Sequence, residues 1–254
     1  MFEHGSLLSF VYKTVKKDLC MDAINRIRAC FPSYCCLCDS RGQDGLDLCG
    51  ICRDTLPDNV CACVQCGLPL PRVAGIKRRL CGRCQISRPV VTEVHAPFLY
   101  RYPMPYFVTS LKFQGEQKYA RLLGDLLAQT RLSVASETWP EALVPVPLHR
   151  TRLVARGFNQ SALIAHYCGQ RLGLPVLNHV VRRTVNTQAQ TGLSRLQRLQ
   201  NIRGAFAVTS RRLPAHVAIV DDVLTTGSTL RELARCLRRA GVSRVDAWVC
   251  ARAS

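Results

Sequence analysis

Nowhere does this 254-residue chain string together the run of about 18 apolar residues that a membrane-spanning helix needs. Near its start, Lys13, Lys16, Lys17 and Asp18 interrupt the apolar positions, so a signal-peptide core is missing as well. These two absences point to a soluble, cytoplasmic protein, with Met21 as an alternative start to Met1. Acids are also scarce: 17 Asp and Glu stand against 35 Lys and Arg, a formal charge of +18. Between positions 142 and 220 they vanish altogether, and that segment carries eleven arginines and no lysine. Such a field attracts polyanions, whether a pyrophosphate or a nucleic-acid backbone. The plainer alternative is a solvated surface, although such surfaces usually mix both signs. The six histidines show no ligand spacing, which excludes a histidine-based metal centre.

Cysteine, by contrast, is abundant. Fifteen are present, an odd number without a secretory leader, which argues against a disulfide framework. Eight fall in four C-x-x-C knuckles: Cys35/Cys38, Cys49/Cys52, Cys63/Cys66 and Cys81/Cys84. Two knuckles complete a tetrahedral Cys₄ set, so two structural Zn²⁺ ions are expected. Sequential pairing closes the shorter loops, while a cross-braced pairing stays open, as does redox chemistry of the C-x-x-C type. Cys36 and Cys61 sit close enough to compete as ligands. Cys20, Cys30, Cys168, Cys236 and Cys250 read as small apolar residues. A closed Cys₄ zinc has no free coordination position and catalyses nothing, so this region either braces its neighbour or presents a surface. Arg72, Lys77, Arg78, Arg79 and Arg83 in and beside the second set suit nucleic acid.

The chemistry concentrates in "VAIVDDVLTTGSTLRELARCLRRAG", 217–241. Val217 to Val220 is a short β-branched run typical of a buried parallel strand. Leu230, Leu233, Ala234 and Leu237 recur at i, i+3, i+4 and i+7, the stripe of an amphipathic helix. Thr229 with Glu232 predicts a capping box, and Gly241 predicts the helix stop. The intervening Thr225, Thr226, Gly227, Ser228 and Thr229 combine hydroxyls, a permissive glycine and free amides at a helix N-terminus, a cradle for phosphate. No lysine follows the glycine, so this is not a nucleoside-triphosphatase loop. Asp221 and Asp222 would repel phosphate but accept hydrogen bonds from a vicinal diol or hold Mg²⁺. A phosphate at one end and a diol nearby describe a ribose 5-phosphate.

The rest of the chain reads as alternating strands and helices. A turn at Pro103 and Pro105 leads to a helix, a break near Gly115, and a second helix to about Arg131. A strand runs to Pro145–Pro147, then comes an arginine-rich loop, and a helix opens near Asn159 or Ser161 and stops at Gly173. Further strands are expected near 177–182 and 204–209, joined by a polar stretch over 183–203. That alternation means an α/β fold with a mainly parallel sheet.

"VAIVDDVLTTGST" resembles the phosphoribosyl pyrophosphate (PRPP) motif of type I phosphoribosyltransferases. With the four knuckles, "LKF" at 111–113, "VPVPLHRTRLVARGFNQS" at 144–161 and "QTGLSRLQRLQNIRGAF" at 190–206, the chain resembles the ComF/GntX family. The resemblance implies a type I phosphoribosyltransferase-like sheet flanked by helices over 91–254, a double zinc ribbon over 32–90, and an N-terminal helical extension over 1–31. It implies PRPP bound with Mg²⁺: the 5-phosphate on 225–229, the ribose on Asp221 and Asp222 as the catalytic acids, and the pyrophosphate on Arg150, Arg152 and Arg156. His149 is a further pyrophosphate contact or a loop cap, and Lys112 a phosphate or DNA contact or merely a solvated side chain. Gln188, Gln190, Arg195, Arg198 and Asn201 would lie in a hood that closes over the site. Two roles remain open: phosphoribosyl transfer to an unspecified acceptor, or a catalytically silent PRPP sensor or single-stranded-DNA-binding competence factor. Either would act in DNA uptake during natural transformation, alongside other competence proteins.

Overall fold

The computed structural model describes residues 33–72, 79–86, 90–134, 138–185 and 204–253. The expected helical extension over 1–31 lies outside them. Compactness divides the chain into Met1–Thr55 and Leu56–Ser254. In the first unit a bridge between Tyr34 and Arg41 closes the turn around one knuckle, and helix α1 (Gly50–Asp54) carries its mate. The second cysteine set falls in the same unit as the sheet, whereas the sequence reading groups both sets within 32–90.

The second unit continues with α2 (Gly82–Ile86), β1 (Val94–His95), β2 (Phe98–Leu99) and α3 (Met104–Thr109), then a π-helical turn (Ser110–Gln114) and α4 (Lys118–Leu132). There follow β3 (Ala142–Pro145), α5 (Arg150–Arg156), α6 (Gln160–Leu172), β4 (Val181–Arg183), β5 (Phe206–Val208), β6 (His216–Leu224), α7 (Ser228–Arg239) and β7 (Arg244–Arg252). The main sheet is parallel, in the order β1-β7-β6-β3, with β2 also paired to β7. β6 is an inner strand: Val217–Val220 pairs with β3 on one side and β7 on the other. All four residues are fully buried, which is what a strand covered on both faces demands.

One face of the sheet packs on α7 through the expected stripe, Leu230, Leu233, Ala234 and Leu237, against Val217, Ile219, Val245 and Ala247. Side chains alternate along a strand, so Ala218 and Val220 face the other layer, built from α4 and α6. Those two helices approach closely at Gly124, where a Cβ would stand 2.7 Å from the Ile164 carbonyl oxygen and 2.7 Å from Tyr167 Cβ. The strands expected near 177–182 and 204–209 do not join this sheet. β4 and β5 form their own antiparallel ribbon, and only a single parallel bridge, Leu143 to Val176, extends the sheet on that edge. No helix among the described residues is long and apolar enough to cross a membrane.

Gly124→Val overpacks the α4–α6 contact and should cost about 1–3 kcal/mol. A denaturant titration should show a lower midpoint at unchanged slope; an unmoved midpoint would contradict this packing.

Candidate functional site

β6 outruns its neighbour β3. The last register pair on that side is Pro145 with Val220, and the next residues are the two acids. The chain then turns through Thr225 to Gly227 into α7. The glycine takes φ 72°, a left-handed conformation that a β-branched residue resists, and a Cβ there would press on Arg231 Nη1 at 3.1 Å and Leu224 Cδ1 at 3.3 Å. The predicted capping box does not form. The helix opens two residues earlier than that box requires, at Ser228, and Gly227 in the N-cap position offers no side chain. Glu232 is buried and turns away instead, accepting from the Gly204 amide at 2.9 Å and pairing with Arg235 at 3.3 Å. Beyond a long 3.5 Å contact from the Ser228 amide to Thr226 Oγ1, the first turn of α7 is uncapped, which leaves its amides and its positive dipole end facing the loop.

A cavity of about 300 Å³ opens there, lined by Asp221, Asp222, Thr225, Gly227, Ser228 and Thr229. Thr226 lies outside it, facing a second cavity of about 600 Å³ on the opposite side of the loop. The acids are not bare. Ser161 Oγ, in the first turn of α6, donates to Asp221 Oδ1 at 2.8 Å, and the Asp222 amide donates to the same oxygen at 3.0 Å. Lys112 Nζ approaches Asp222 Oδ2 to 2.8 Å. Burial works against the Lys112 charge, but Asp222 outweighs it and the ammonium titrates above its usual range. Asp221 is pushed up to about 7, by burial first and then by the neighbouring Asp222 charge. One of the two carboxyl groups thus holds its proton near neutral pH.

Of the three arginines assigned to the pyrophosphate, only Arg152 lines the cavity. The expected loop is the helix α5, which fans its side chains at about 100° per residue, so Arg150 points elsewhere and is exposed. Arg156 donates to Gln160 Oε1 at 2.5 Å and stacks over Phe113 at 5.7 Å. His149 caps α5, accepting from the Thr151 amide at 3.4 Å. Sequence reasoning missed Tyr100, Gln160 and Ser161 as cavity residues and left Lys112 undecided, while Arg183, which lines the cavity, opens the segment expected to form the hood. Ser161 and Gln160 stand within "RGFNQS", so a signal existed; Tyr100 had none. The hood residues Gln188, Gln190, Arg195, Arg198 and Asn201 lie outside the described residues, as do Lys77 and Arg78.

The knuckles pair sequentially. Cys35, Cys38, Cys49 and Cys52 bring their sulfurs together in one set, and Cys63, Cys66, Cys81 and Cys84 in another, every sulfur within 4.8 Å of the rest of its set. Sulfurs at tetrahedral corners about 2.3 Å from zinc stand about 3.8 Å apart. The separations Cys38–Cys49 at 3.6 Å, Cys38–Cys52 at 3.6 Å and Cys66–Cys81 at 3.7 Å suit that ion. Amides of Cys52 and Cys81 point at Cys49 Sγ and Cys63 Sγ at 3.4 and 3.3 Å, donors that a thiolate requires. The second set is tied to the sheet. Asn59 Nδ2 bridges the carbonyls of Gly67 and Ala96, and Arg252 donates to the carbonyls of Cys66 at 3.1 Å and Leu224 at 3.0 Å.

The fold and site define a parallel α/β domain with paired acids and a hydroxyl-bearing loop at the carboxyl end of an inner strand, in a chain that also carries two cysteine sets that could hold metal ions. No family model matches the chain. It is 37% identical over 198 residues to Competence protein F of Haemophilus influenzae, covering 75% of this chain and 84% of that protein. It is 34% identical over 225 residues to DNA utilization protein YhgH of Salmonella typhi, covering 87% and 97%. Competence protein ComFC of Bacillus subtilis is 26% identical over 226 residues, with coverage of 82% and 89%. Among solved structures, glutamine PRPP amidotransferase from B. subtilis, complexed with ADP and GMP, aligns with 51% of this chain and 25% of its own at 21% identity and a TM-score of 0.32. The chain belongs to the ComF family.

Purified protein should contain two zinc ions per chain by elemental analysis, and Cys81→Ser should lower the value to about one. Zinc-binding energy is folding energy at such sites, so a chelator should loosen the knuckle regions before the sheet. A wild-type content near zero would rule out both centres.

Proposed function

We propose that this protein binds PRPP in the cavity at the end of β6 and serves the handling of incoming DNA in natural transformation. The observation that carries the reading is the convergence on one cavity of an uncapped helix start, a hydroxyl-bearing loop, paired carboxylates and cations. The 5-phosphate takes the loop Thr225–Gly227 and the first turn of α7, where Ser228 and Thr229 add hydroxyls. The ribose diol donates to Asp221 and Asp222, and the pyrophosphate meets Arg152 and Arg183. Transfer, where it occurs, breaks the bond from C1 to the pyrophosphate oxygen as a bond to the acceptor forms. The departing pyrophosphate carries off the bonding electrons, and the ring passes through an oxocarbenium-like state. The protein contributes position and charge rather than proton transfer.

A second reading keeps the PRPP site and dispenses with transfer: a ligand sensor or single-stranded-DNA-binding factor. The exposed aromatics Tyr102 and Phe113, 76% and 77% accessible, favour it, since Arg156 stands over Phe113 and stacked bases suit such surfaces. The relatives' names, which speak of competence and DNA utilization, support both readings.

Calorimetry with PRPP discriminates. Asp222→Asn should weaken binding by about ten- to a hundredfold, the loss of a charge-assisted hydrogen bond. Gly227→Val should be worse, because its backbone cannot hold the loop, whereas Thr226→Ala should cost less, since Thr226 does not line the cavity and reaches it only through its 3.1 Å hydrogen bond with Ser228 Oγ. Wild-type protein indifferent to millimolar PRPP would overturn the ligand reading. Binding without pyrophosphate release for any base offered would favour the sensor. Affinity for single-stranded DNA should fall with salt at a log–log slope of about −0.7 per phosphate contact, and a flat isotherm would count against DNA binding.

A further inference from the structure

The acid pair is where the phosphoribosyltransferase likeness puts a divalent cation, and the groups around it do not fit that ion. Mg²⁺ wants near-octahedral oxygen ligands at about 2.0–2.1 Å. Asp222 is 4% exposed, and the oxygen it would offer, Oδ2, faces the Lys112 ammonium at 2.8 Å. Beyond that ammonium, Oδ2 has no hydrogen-bond partner among the described residues. Asp221 already accepts two hydrogen bonds on Oδ1. Lys112 is not a wandering surface lysine. It projects from the π-helical turn, between the buried Leu111 and the left-handed Gly115 that ends the turn, and its side chain is only 22% exposed. A π turn inside a helix redirects side chains and recurs at functional sites. Among the described residues, three cationic side chains, Lys112, Arg152 and Arg183, line the cavity with the two acids, so cations outnumber carboxyl groups before any metal ion arrives.

We propose that Lys112 is the resident cation of this site: it takes the place of a protein-bound Mg²⁺ beside Asp222, keeps that carboxylate charged and aimed at the sugar hydroxyls, and denies the acid pair to free divalent cations. Any Mg²⁺ enters on the ligand's pyrophosphate. The identity of the sugar ligand rests on the PRPP reading; the competition between Lys112 and metal does not.

Two titrations test this on the full chain, with Lys112→Met and Lys112→Gln as parallel variants and thermal melting to confirm folding. First, free Mn²⁺ is followed by electron paramagnetic resonance with no sugar phosphate present. Wild type should leave millimolar Mn²⁺ unbound at the acid pair, at least one variant should gain at least tenfold in affinity, and adding Asp222→Asn should abolish the gain. Second, ribose 5-phosphate, which has the phosphate and diol but no pyrophosphate, is titrated in chelator and in Mg²⁺. Wild-type affinity should agree within about twofold between the two, whereas the variants should bind at least tenfold more weakly in chelator and recover with Mg²⁺. Wild type that binds Mn²⁺ as tightly as the variants, or ribose 5-phosphate binding that needs Mg²⁺ in wild type, overturns the proposal. If ribose 5-phosphate and PRPP both fail to bind, the PRPP reading falls and the Mn²⁺ titration alone decides the role of Lys112.

Discussion

Two hydrogen-bonded ladders of unequal length organise the site. β6 is held by β7 as far as Leu224 but by β3 only to Pro145, whose partner is Val220. One last bond, from the Val146 amide to the Val220 carbonyl, ends that side. From Asp221 onward the strand is therefore anchored on one edge and open on the other. The open edge is filled by side chains from elsewhere, Ser161 from α6 and Lys112 from the π turn, rather than by backbone. Moving Asp221 one position earlier, to the place of Val220, would set it in the ladder between β3 and β7, where the strand is fully buried.

The second cysteine set belongs to the same mechanical system. Arg252 ends β7 and spends its guanidinium on the carbonyls of Cys66, Leu224 and Ala253. Leu224 is the last residue of β6 before the loop, so one side chain links a cysteine knuckle to the start of that loop. The Val94 amide adds a backbone tie to Val64 at 2.8 Å, inside the knuckle. A closed Cys₄ set has no free coordination position, and its place here is mechanical: it is tied to the strand end from which the loop leaves. A cavity of about 600 Å³ opens between Cys66, Cys81 and Thr226, so beside it the link between knuckle and loop runs through these bonds and the contact of Gly67 with Val94 and Ala96.

Local pattern carried much of this into view before any coordinates. The β-branched run Val217–Val220, the α7 stripe and the C-x-x-C spacings each encode their own geometry, because strand burial, helix periodicity and thiolate reach act over a few residues. What the pattern could not convey depends on partners far along the chain. Thr229 and Glu232 have the spacing of a capping box, but Glu232 gains more from the Gly204 amide and Arg235, and the helix starts earlier without it. The arginines at 150, 152 and 156 look alike as text; once α5 is helical, Arg150 turns to a different face from Arg152, and Arg156, on the same face as Arg152, is taken up by Gln160 and Phe113. Lys112 in "LKF" reads as an ordinary solvated lysine until the fold sets it against Asp222.

Under the proposed function, the arrangement of charge matches the order of events at the sugar. Positive charge builds on the ribose ring as the bond at C1 lengthens, and negative charge builds on the departing pyrophosphate. Carboxylates near the ring and guanidinium groups near the leaving group stabilise both, more strongly in a half-enclosed cavity than in water. Two adjacent carboxylates without compensation would repel the phosphate that must bind first. Lys112 neutralises one of them, and the raised pKa of Asp221 lets the other carry a proton near neutral pH, so the empty site presents little net repulsion. As C1 becomes cationic, the Asp222 carboxylate, kept charged by the Lys112 ammonium at 2.8 Å, is the negative group available beside the ring. The ion pair therefore serves both stages: it limits repulsion of the incoming phosphate while holding a carboxylate where positive charge develops.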